Sequence, residues 1–206
     1  MYLVLDTSGS MTGEPIEAVK NGVQVMISSL RQNPQAIETA FISIITFDSA
    51  AKQVVPLTDL ASFQMVDIKA SGTTNLGEAL TVLSTCIDSE VTKTTAEQKG
   101  DWKPLVFIMT DGIPTDDWQA GLEEFKKRKT AYTVACAAGT GADSNLLKQI
   151  TDNVVSLDTA DSQSISKFFT WVSASIGVSS TKVEDGKEVT GIGELPPPPS
   201  ELNIVT

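Results

Sequence analysis

The stretch MYLVLDTSGS, residues 1–10, decides the fold because it joins a buried strand to a loop of oxygen-bearing side chains. Tyr2–Leu5 is short, apolar and continuous, which is typical of a central strand that is covered on both faces. Asp6, Ser8 and Ser10 follow at alternate positions. One capping side chain is enough to begin a helix. Three in one loop therefore favour convergence on a single point, as a hard cation such as Mg²⁺ requires.

Strand-like and helical patterns alternate along the rest of the chain. The further strand candidates are Ala40–Phe47, Lys52–Leu57, Leu105–Thr110, Thr130–Ala137 and Val154–Leu157. Apolar residues at helical spacing predict helices over positions 16–30, 76–87, 118–125, 146–150 and 165–176. This alternation predicts a doubly wound, Rossmann-like α/β fold with a central, mostly parallel six-stranded sheet and helices on both faces. The short turn FDSAA makes Lys52–Leu57 the one antiparallel edge strand.

Composition sets the size of the domain and excludes several kinds of chemistry. The 206 residues, 41% of them hydrophobic, suit one globular domain over 1–177 followed by an extended proline-rich tail over 178–206. The chain has no histidine, which excludes Ser-His-Asp and Cys-His catalysis and histidine-based zinc sites. A net charge of −11 argues against nucleic acid and anionic membrane surfaces as partners.

The cysteines and the hydropathy pattern predict a cytoplasmic location. Cys86 and Cys136 lie in apolar contexts without a metal-type or redox-type neighbour, so we interpret both as buried thiols in a reducing compartment. No apolar run approaches the roughly 20 residues that span a bilayer, and no signal peptide precedes the first strand.

Two segments fall outside the alternation of strands and helices. The polar stretch 90–104 is either a loop or a functional surface. The tail contains four consecutive prolines, which favour an extended polyproline segment. This tail could be a flexible linker or a ligand for an aromatic-lined groove. Alternatively, its Glu194 or Glu201 could dock into the metal site of a neighbouring copy.

Two more loops carry oxygen side chains near the carboxyl ends of predicted strands, where open α/β sheets bind ligands. They are Ser71–Asn75, before the second long helix, and Thr110–Gly112, after the fourth strand. Each alone is explained by helix caps and turns. Together with the first loop they supply the hydroxyls and carboxylates that a magnesium site needs. The pair Asp116-Asp117 is predicted to stabilise the N-terminus of the helix that follows it.

These loops resemble those of von Willebrand factor A (vWA) and integrin I domains. DTSGS matches the DxSxS signature of that family, and ASGTTNLGEAL and MTDG resemble its second and third site loops. The resemblance covers about residues 2–177. It implies a metal-ion-dependent adhesion site (MIDAS) of Asp6, Ser8, Ser10, Thr74 and Asp111. Spacing to Glu78 favours Thr74 over Thr73 as the ligand.

The resemblance also implies which residues contact the metal ion directly and which act through water. Ser8 and Ser10 would bind Mg²⁺, or Mn²⁺, directly, and Thr74 would join them when a partner is engaged. Asp6 and Asp111 would act mostly through bound waters. A glutamate or aspartate of a partner protein would then complete the coordination of the ion, which makes the chain a binding module and not an enzyme.

The segments DTSGSMTGEPIEAVKNG, ITFDS and FIMTDGIPTDDW are similar to a bacterial subgroup, the TerY-type proteins of tellurium-resistance gene clusters. That subgroup implies kinase-like and phosphatase-like partners and a role in stress response. Two other functions stay open. One is a metal-dependent hydrolase or phosphotransferase that uses Asp6 as nucleophile or the ion as Lewis acid. The other is a structural module whose site holds no metal.

Overall fold

Strands and helices alternate along the chain in a computed structural model that describes residues 1–187 and 192–205. The strands are β1 (Tyr2–Asp6), β2 (Phe41–Phe47), β3 (Ala51–Asp59), β4 (Leu105–Thr110), β5 (Tyr132–Ala138), β6 (Val154–Leu157) and β7 (Asn203–Ile204). The α-helices are α1 (Glu14–Leu30), α2 (Pro34–Thr39), α3 (Leu76–Glu90), α4 (Trp118–Lys126), α5 (Ser144–Ile150) and α6 (Ser162–Glu184). Single 3₁₀ turns cover Gly9–Met11 and Ile192–Glu194.

One sheet contains the seven strands in the order β3-β2-β1-β4-β5-β6-β7. β1 pairs in parallel with both β2 and β4, and the parallel pairing continues through β5 to β6. β3 pairs antiparallel with β2 at one edge, as predicted. The predicted α/β class and mostly parallel sheet are therefore confirmed. The prediction of six strands is corrected to seven, because β7 adds a short antiparallel strand at the other edge.

The central strand β1 packs against a separate hydrophobic core on each face of the sheet. Leu3 and Leu5 belong to the core that includes α1 and α6, whereas Tyr2 and Val4 belong to the core that includes α3, α4 and α5. All four side chains are at most 1% exposed. Burial on both faces is why this strand is continuously apolar instead of alternating between apolar and polar residues.

The last helix continues beyond residue 177, where the tail was predicted to begin, and ends at Glu184. Its C-terminal part is rich in hydroxyl residues, which hides the apolar spacing that marks a helix. Ser179 Oγ and Thr181 Oγ1 donate to the carbonyls of Ser175 and Gly177, four residues earlier. These bonds satisfy the hydroxyls within the helix, so it can extend without an apolar stripe.

The described part of the tail, 192–205, packs on the domain. Leu195 and Leu202 are 8% and 4% exposed and belong to the core on the α6 side of the sheet. The indole Nε1 of Trp171 donates to the carbonyl oxygen of Pro196 at 2.8 Å. The glutamates considered as ligands for a neighbouring copy, Glu194 and Glu201, form ion pairs with the α6 residues Lys182 and Lys167.

The polar stretch before β4 forms a closed loop that contains neither helix nor strand beyond the end of α3 at Glu90. Its two ends meet where Thr92 and Asp101 exchange hydrogen bonds, from Thr92 N to Asp101 Oδ2 at 2.7 Å and from Asp101 N to Thr92 O at 2.9 Å. Near its end, Lys99 Nζ lies 4.9 Å from the centre of the Trp102 ring.

Both cysteines are buried and form no disulfide. Burial raises the pKa of the Cys86 thiol to about 11 and raises that of Cys136 further. Neutral thiols of this kind are poor nucleophiles and poor metal ligands. Over 1–187 and 192–205, no helix combines the length and apolar character needed to cross a bilayer.

Candidate metal site

Three loops meet at the carboxyl edge of the central strands. Because β1 and β4 are parallel neighbours, the loops that follow them leave the sheet side by side. The loop before α3 is tied to the first loop by two backbone hydrogen bonds, from Gly9 N to Gly72 O at 3.0 Å and from Ser71 N to Thr7 O at 2.8 Å. The fold thus brings together the segments that carry the sequence-predicted site residues.

A line of side-chain oxygens runs from the interior to the surface. Asp6 is fully buried, and its Oδ1 accepts a hydrogen bond from Ser8 N at 2.8 Å. The hydroxyls of Ser8 and Ser10 lie 3.0 Å apart, and Ser10 Oγ donates to Asp111 Oδ1 at 2.7 Å. Ser8 is 2% exposed, whereas Ser10 is on the surface. Four of the five predicted site residues therefore form one connected group.

The fifth residue, Thr74, reaches the same place from the loop before α3. A Cβ atom built on Gly112 would lie 3.4 Å from Thr74 Oγ1 and 4.0 Å from Ser10 Oγ, so the two hydroxyls flank this glycine. Thr74 N donates to Thr115 Oγ1 at 3.1 Å, and Thr115 N donates to Thr74 O at 2.8 Å. These bonds hold the second and third loops together.

The neighbouring Thr73 is engaged elsewhere. Its backbone N and its Oγ1 lie 3.0 and 3.1 Å from Ser49 Oγ, in the turn between β2 and β3. Thr73 is therefore tied to that turn.

Burial raises the pKa of the Asp6 carboxyl above its ordinary value, and the nearby carboxylate of Asp111 adds to the increase. Hydrogen bonds from Ser8 and Thr110 act in the opposite direction and stabilise the charged form. Thr110 Oγ1 donates to Asp6 Oδ2 at 2.5 Å. Sequence reasoning did not predict that Thr110 donates to Asp6. The one feature of the sequence that pointed to it was the position of Thr110 at the end of a predicted strand, directly before Asp111.

The donor set fits a small, hard cation. Two ligand oxygens at right angles around Mg²⁺, each 2.0–2.1 Å from the ion, are about 2.9 Å apart. The separation between Ser8 Oγ and Ser10 Oγ, the two hydroxyls expected to bind directly, is 3.0 Å and so is close to that spacing. In the described chain no three His, Cys, Asp or Glu side chains group as metal ligands. A cation here would therefore depend on hydroxyls as well as carboxylates.

The acidic pair after the third loop behaves differently from the prediction. The Asp116 carboxylate accepts from the backbone N of Gly77 at 3.2 Å and of Glu78 at 2.9 Å, so it stabilises the N-terminus of α3 and not that of α4. Asp117 precedes α4 without a side-chain capping bond. Asp116 was misassigned because the contact crosses between two elements that are distant in sequence.

Comparisons with known proteins identify similar domains. The sequence profile of the von Willebrand factor type A domain matches residues 1–170. A Synechocystis sp. protein, described as uncharacterized protein sll0103, is 30% identical over 117 residues, which is 54% of this chain and 24% of that protein. The chain therefore corresponds to about a quarter of this relative's length.

Solved structures share the fold at low sequence identity. Proximal thread matrix protein 1 from the mussel byssus, with a zinc-occupied MIDAS motif, superposes with a TM-score of 0.62 at 18% identity, over 84% of this chain and 46% of that one. A von Willebrand factor type A protein of Catenulispora acidiphila gives 0.63 at 16% identity, over 86% and 42%. The pilus adhesin SpaC of Lactobacillus rhamnosus GG gives 0.67 at 15% identity, over 86% and 30%.

Proposed function

The chain belongs to the von Willebrand factor type A domain family, and from that premise we propose that it is a metal-dependent protein-interaction module. Its site, a MIDAS of Asp6, Ser8, Ser10, Thr74 and Asp111, holds Mg²⁺, with Mn²⁺ as an alternative. It binds a glutamate or aspartate side chain of a partner protein. The observation that carries this proposal is the hydrogen-bonded group that runs from the buried Asp6 through Ser8 to the exposed Ser10 and the half-buried Asp111.

The five residues of the site contribute in two ways, as direct ligands of the ion and as carboxylates that balance its charge. Ser8 and Ser10 supply neutral oxygens directly, and Thr74 supplies a third when a partner is engaged. Asp6 and Asp111 balance the charge of a divalent ion, mostly through bound waters. When bound, Mg²⁺ supplies a Lewis-acidic position that accepts a carboxylate oxygen. Because the direct ligands from the chain are neutral, a negatively charged partner group is favoured over a neutral one.

The position of Asp6 argues against its use as the nucleophile of a hydrolase or phosphotransferase. Its Oδ1 accepts from Ser8 N and its Oδ2 accepts from Thr110 Oγ1, so both oxygens of this buried carboxylate are engaged. A nucleophile needs an exposed oxygen beside its substrate. Phosphatase and ATPase turnover that is present with Mg²⁺ or Mn²⁺ and lost in Asp6→Ala would establish the enzymatic alternative instead.

The physiological partner follows from the TerY-like sequence segments. We place the chain in a bacterial, cytoplasmic complex for tellurite and stress resistance, with kinase-like and phosphatase-like proteins of the same gene cluster as partners. Its contribution there is recognition of an acidic side chain. No residue of the site suggests direct chemistry on tellurium.

Affinity capture from the native host tests the proposal. The wild type and the double variant Ser8→Ala/Ser10→Ala would be compared with and without a chelator, with Thr73→Ala as a matched control that removes a nearby hydroxyl. We expect the partners to be lost with the chelator and with the double variant, and retained by Thr73→Ala. Retention of the same partners in every condition would refute the metal-bridged mechanism. Calorimetry that detects no Mg²⁺ binding would leave the structural module as the answer.

A further inference from the structure

A large apolar side chain stands exposed beside the candidate metal site. Ile113 follows Asp111-Gly112 and is 61% exposed. Among the residues that the structure describes, the other exposed large hydrophobics, at 40% to 57%, lie on α1, α2, β2 and β7; they are Val25, Ile37, Phe41 and Ile204. Most of the Ile113 side chain is therefore left uncovered next to the site, where a partner residue has room to pack on it.

The loop that carries Ile113 is held in place by the residues that follow it. Pro114 restricts the backbone of the residue before it to extended conformations. Thr115 then bonds to Thr74 through both backbone and side chain, and its Oγ1 lies 3.2 Å from Asn75 Oδ1. A fixed, β-branched side chain loses little conformational entropy when a partner covers it.

The surface around this loop is acidic. Exposed carboxylates lie at helix starts and strand ends along the carboxyl edge of the sheet; they are Glu14, Glu78, Asp117, Asp143 and Asp158. The basic residues at this edge are Lys52, at the start of β3, and Lys69, which pairs with Asp67 at 3.7 Å. The basic run Lys126–Lys129 lies at the opposite end of the domain, where α4 ends. The negative electrostatic potential of the acidic edge repels an acidic segment of a partner and attracts a basic one.

We propose that Ile113 is a specificity-determining contact, and that the partner is a protein segment of a particular kind. The segment carries a single acidic ligand residue, a large apolar residue next to it that packs on Ile113, and basic residues on either side. The metal-bound carboxylate fixes the register, the apolar contact selects the neighbouring residue, and the basic flanks complement the acidic rim. This inference rests on the proposed function of the same site.

Three synthetic peptides of equal length test the preference by calorimetry in Mg²⁺. The first has Glu followed by Leu between arginines, the second replaces Leu by Ser, and the third replaces the arginines by glutamates. We expect the wild type to bind the first about fivefold to tenfold more tightly than the second, as covering part of an aliphatic side chain provides. The third should bind more weakly than the first, and high salt should narrow that difference.

The variant Ile113→Ser isolates the contact. It should bind the first and second peptides equally, while Val25→Ser, which removes an exposed apolar residue from α1, should keep the wild-type preference. If Ile113→Ser keeps the preference, or if wild type has none, this inference is wrong although chelator-sensitive binding would still support the metal site. If no peptide binds in a chelator-sensitive manner, the proposed function fails and this inference fails with it.

Discussion

At the scale of single residues, Thr110 holds the carboxylate of Asp6 in the proposed metal site. The carboxylate is buried, and its Oδ2 has Thr110 Oγ1 as its donor. Side chains that hold a metal-associated group in place commonly change metal affinity by 10- to 100-fold when they are removed. We therefore expect Thr110 to act as a positioning residue whose removal weakens metal binding.

Replacing Thr110 by Val keeps its shape and removes the hydroxyl. We expect the Mg²⁺ dissociation constant to rise about tenfold and the free energy of unfolding to fall by about 1 to 2 kcal/mol, because a buried acceptor loses its donor. Calorimetry and urea denaturation measure the two effects. Thr110→Ser, which retains the hydroxyl, should resemble the wild type. Equal metal affinity in Thr110→Val and wild type would exclude the positioning role.

At the scale of elements, α3 and α4 come into close contact where Gly121 of α4 lies against Gly77 of α3. A Cβ atom on Gly121 would lie 2.1 Å from the carbonyl oxygen of Gly77 and 2.7 Å from its carbonyl carbon. Those neighbours are backbone atoms at the start of α3, so the strain cannot be relieved by a side-chain rotation. The contact also sets the position of α4 relative to the loop that contains Thr74.

Gly121→Ala should therefore reduce the free energy of unfolding by about 1 to 3 kcal/mol, the usual cost of overpacking. The matched control is Gly177→Ala in α6, where the nearest atom to a new Cβ is the side-chain amide nitrogen of Asn33 at 3.3 Å and no backbone atom of another element lies within 4 Å. That control should be neutral or stabilising by up to about 1 kcal/mol, since alanine favours the helix. Urea denaturation compares the two, and equal effects would show that the close approach does not constrain the helices.

The elements also show how far sequence could predict this molecule. The spans Leu105–Thr110 and Val154–Leu157 were predicted correctly because strands buried on both faces leave an unbroken apolar run. Two short elements were missed. α2 has six residues with only Ala36 buried, and β7 has two residues, so neither is long enough to produce a periodic pattern.

The five site positions could be named from motifs, whereas their supporting contacts could not. Asp6 and Asp111 come together because β1 and β4 are neighbours in the sheet. The bonds made by Thr110 and Asp116 depend on side-chain directions across different elements. Sequence spacing carries no information about those directions.

At the scale of the whole molecule, the described tail is part of the packed structure. Leu202 is 4% exposed among core residues, and two residues later Ile204 is 57% exposed on β7. Leu202→Ala should lower the free energy of unfolding by about 2 to 3 kcal/mol, the usual cost of deleting a buried leucine side chain. Ile204→Ala should change it by no more than about 0.5 kcal/mol. Thermal or urea unfolding in which both variants match the wild type would show that the tail does not contribute to the fold.

The central claim about the molecule is that it binds an acidic side chain of a partner through a divalent cation. The most direct measurement is calorimetric titration of the chain with two peptides that differ only in one residue, Glu or its neutral isostere Gln. The account predicts heat of binding for the Glu peptide in Mg²⁺, and none for the Gln peptide, none after chelation and none with Ser8→Ala/Ser10→Ala. Equal binding of the Glu and Gln peptides, or binding of the Glu peptide that survives chelation, would contradict it.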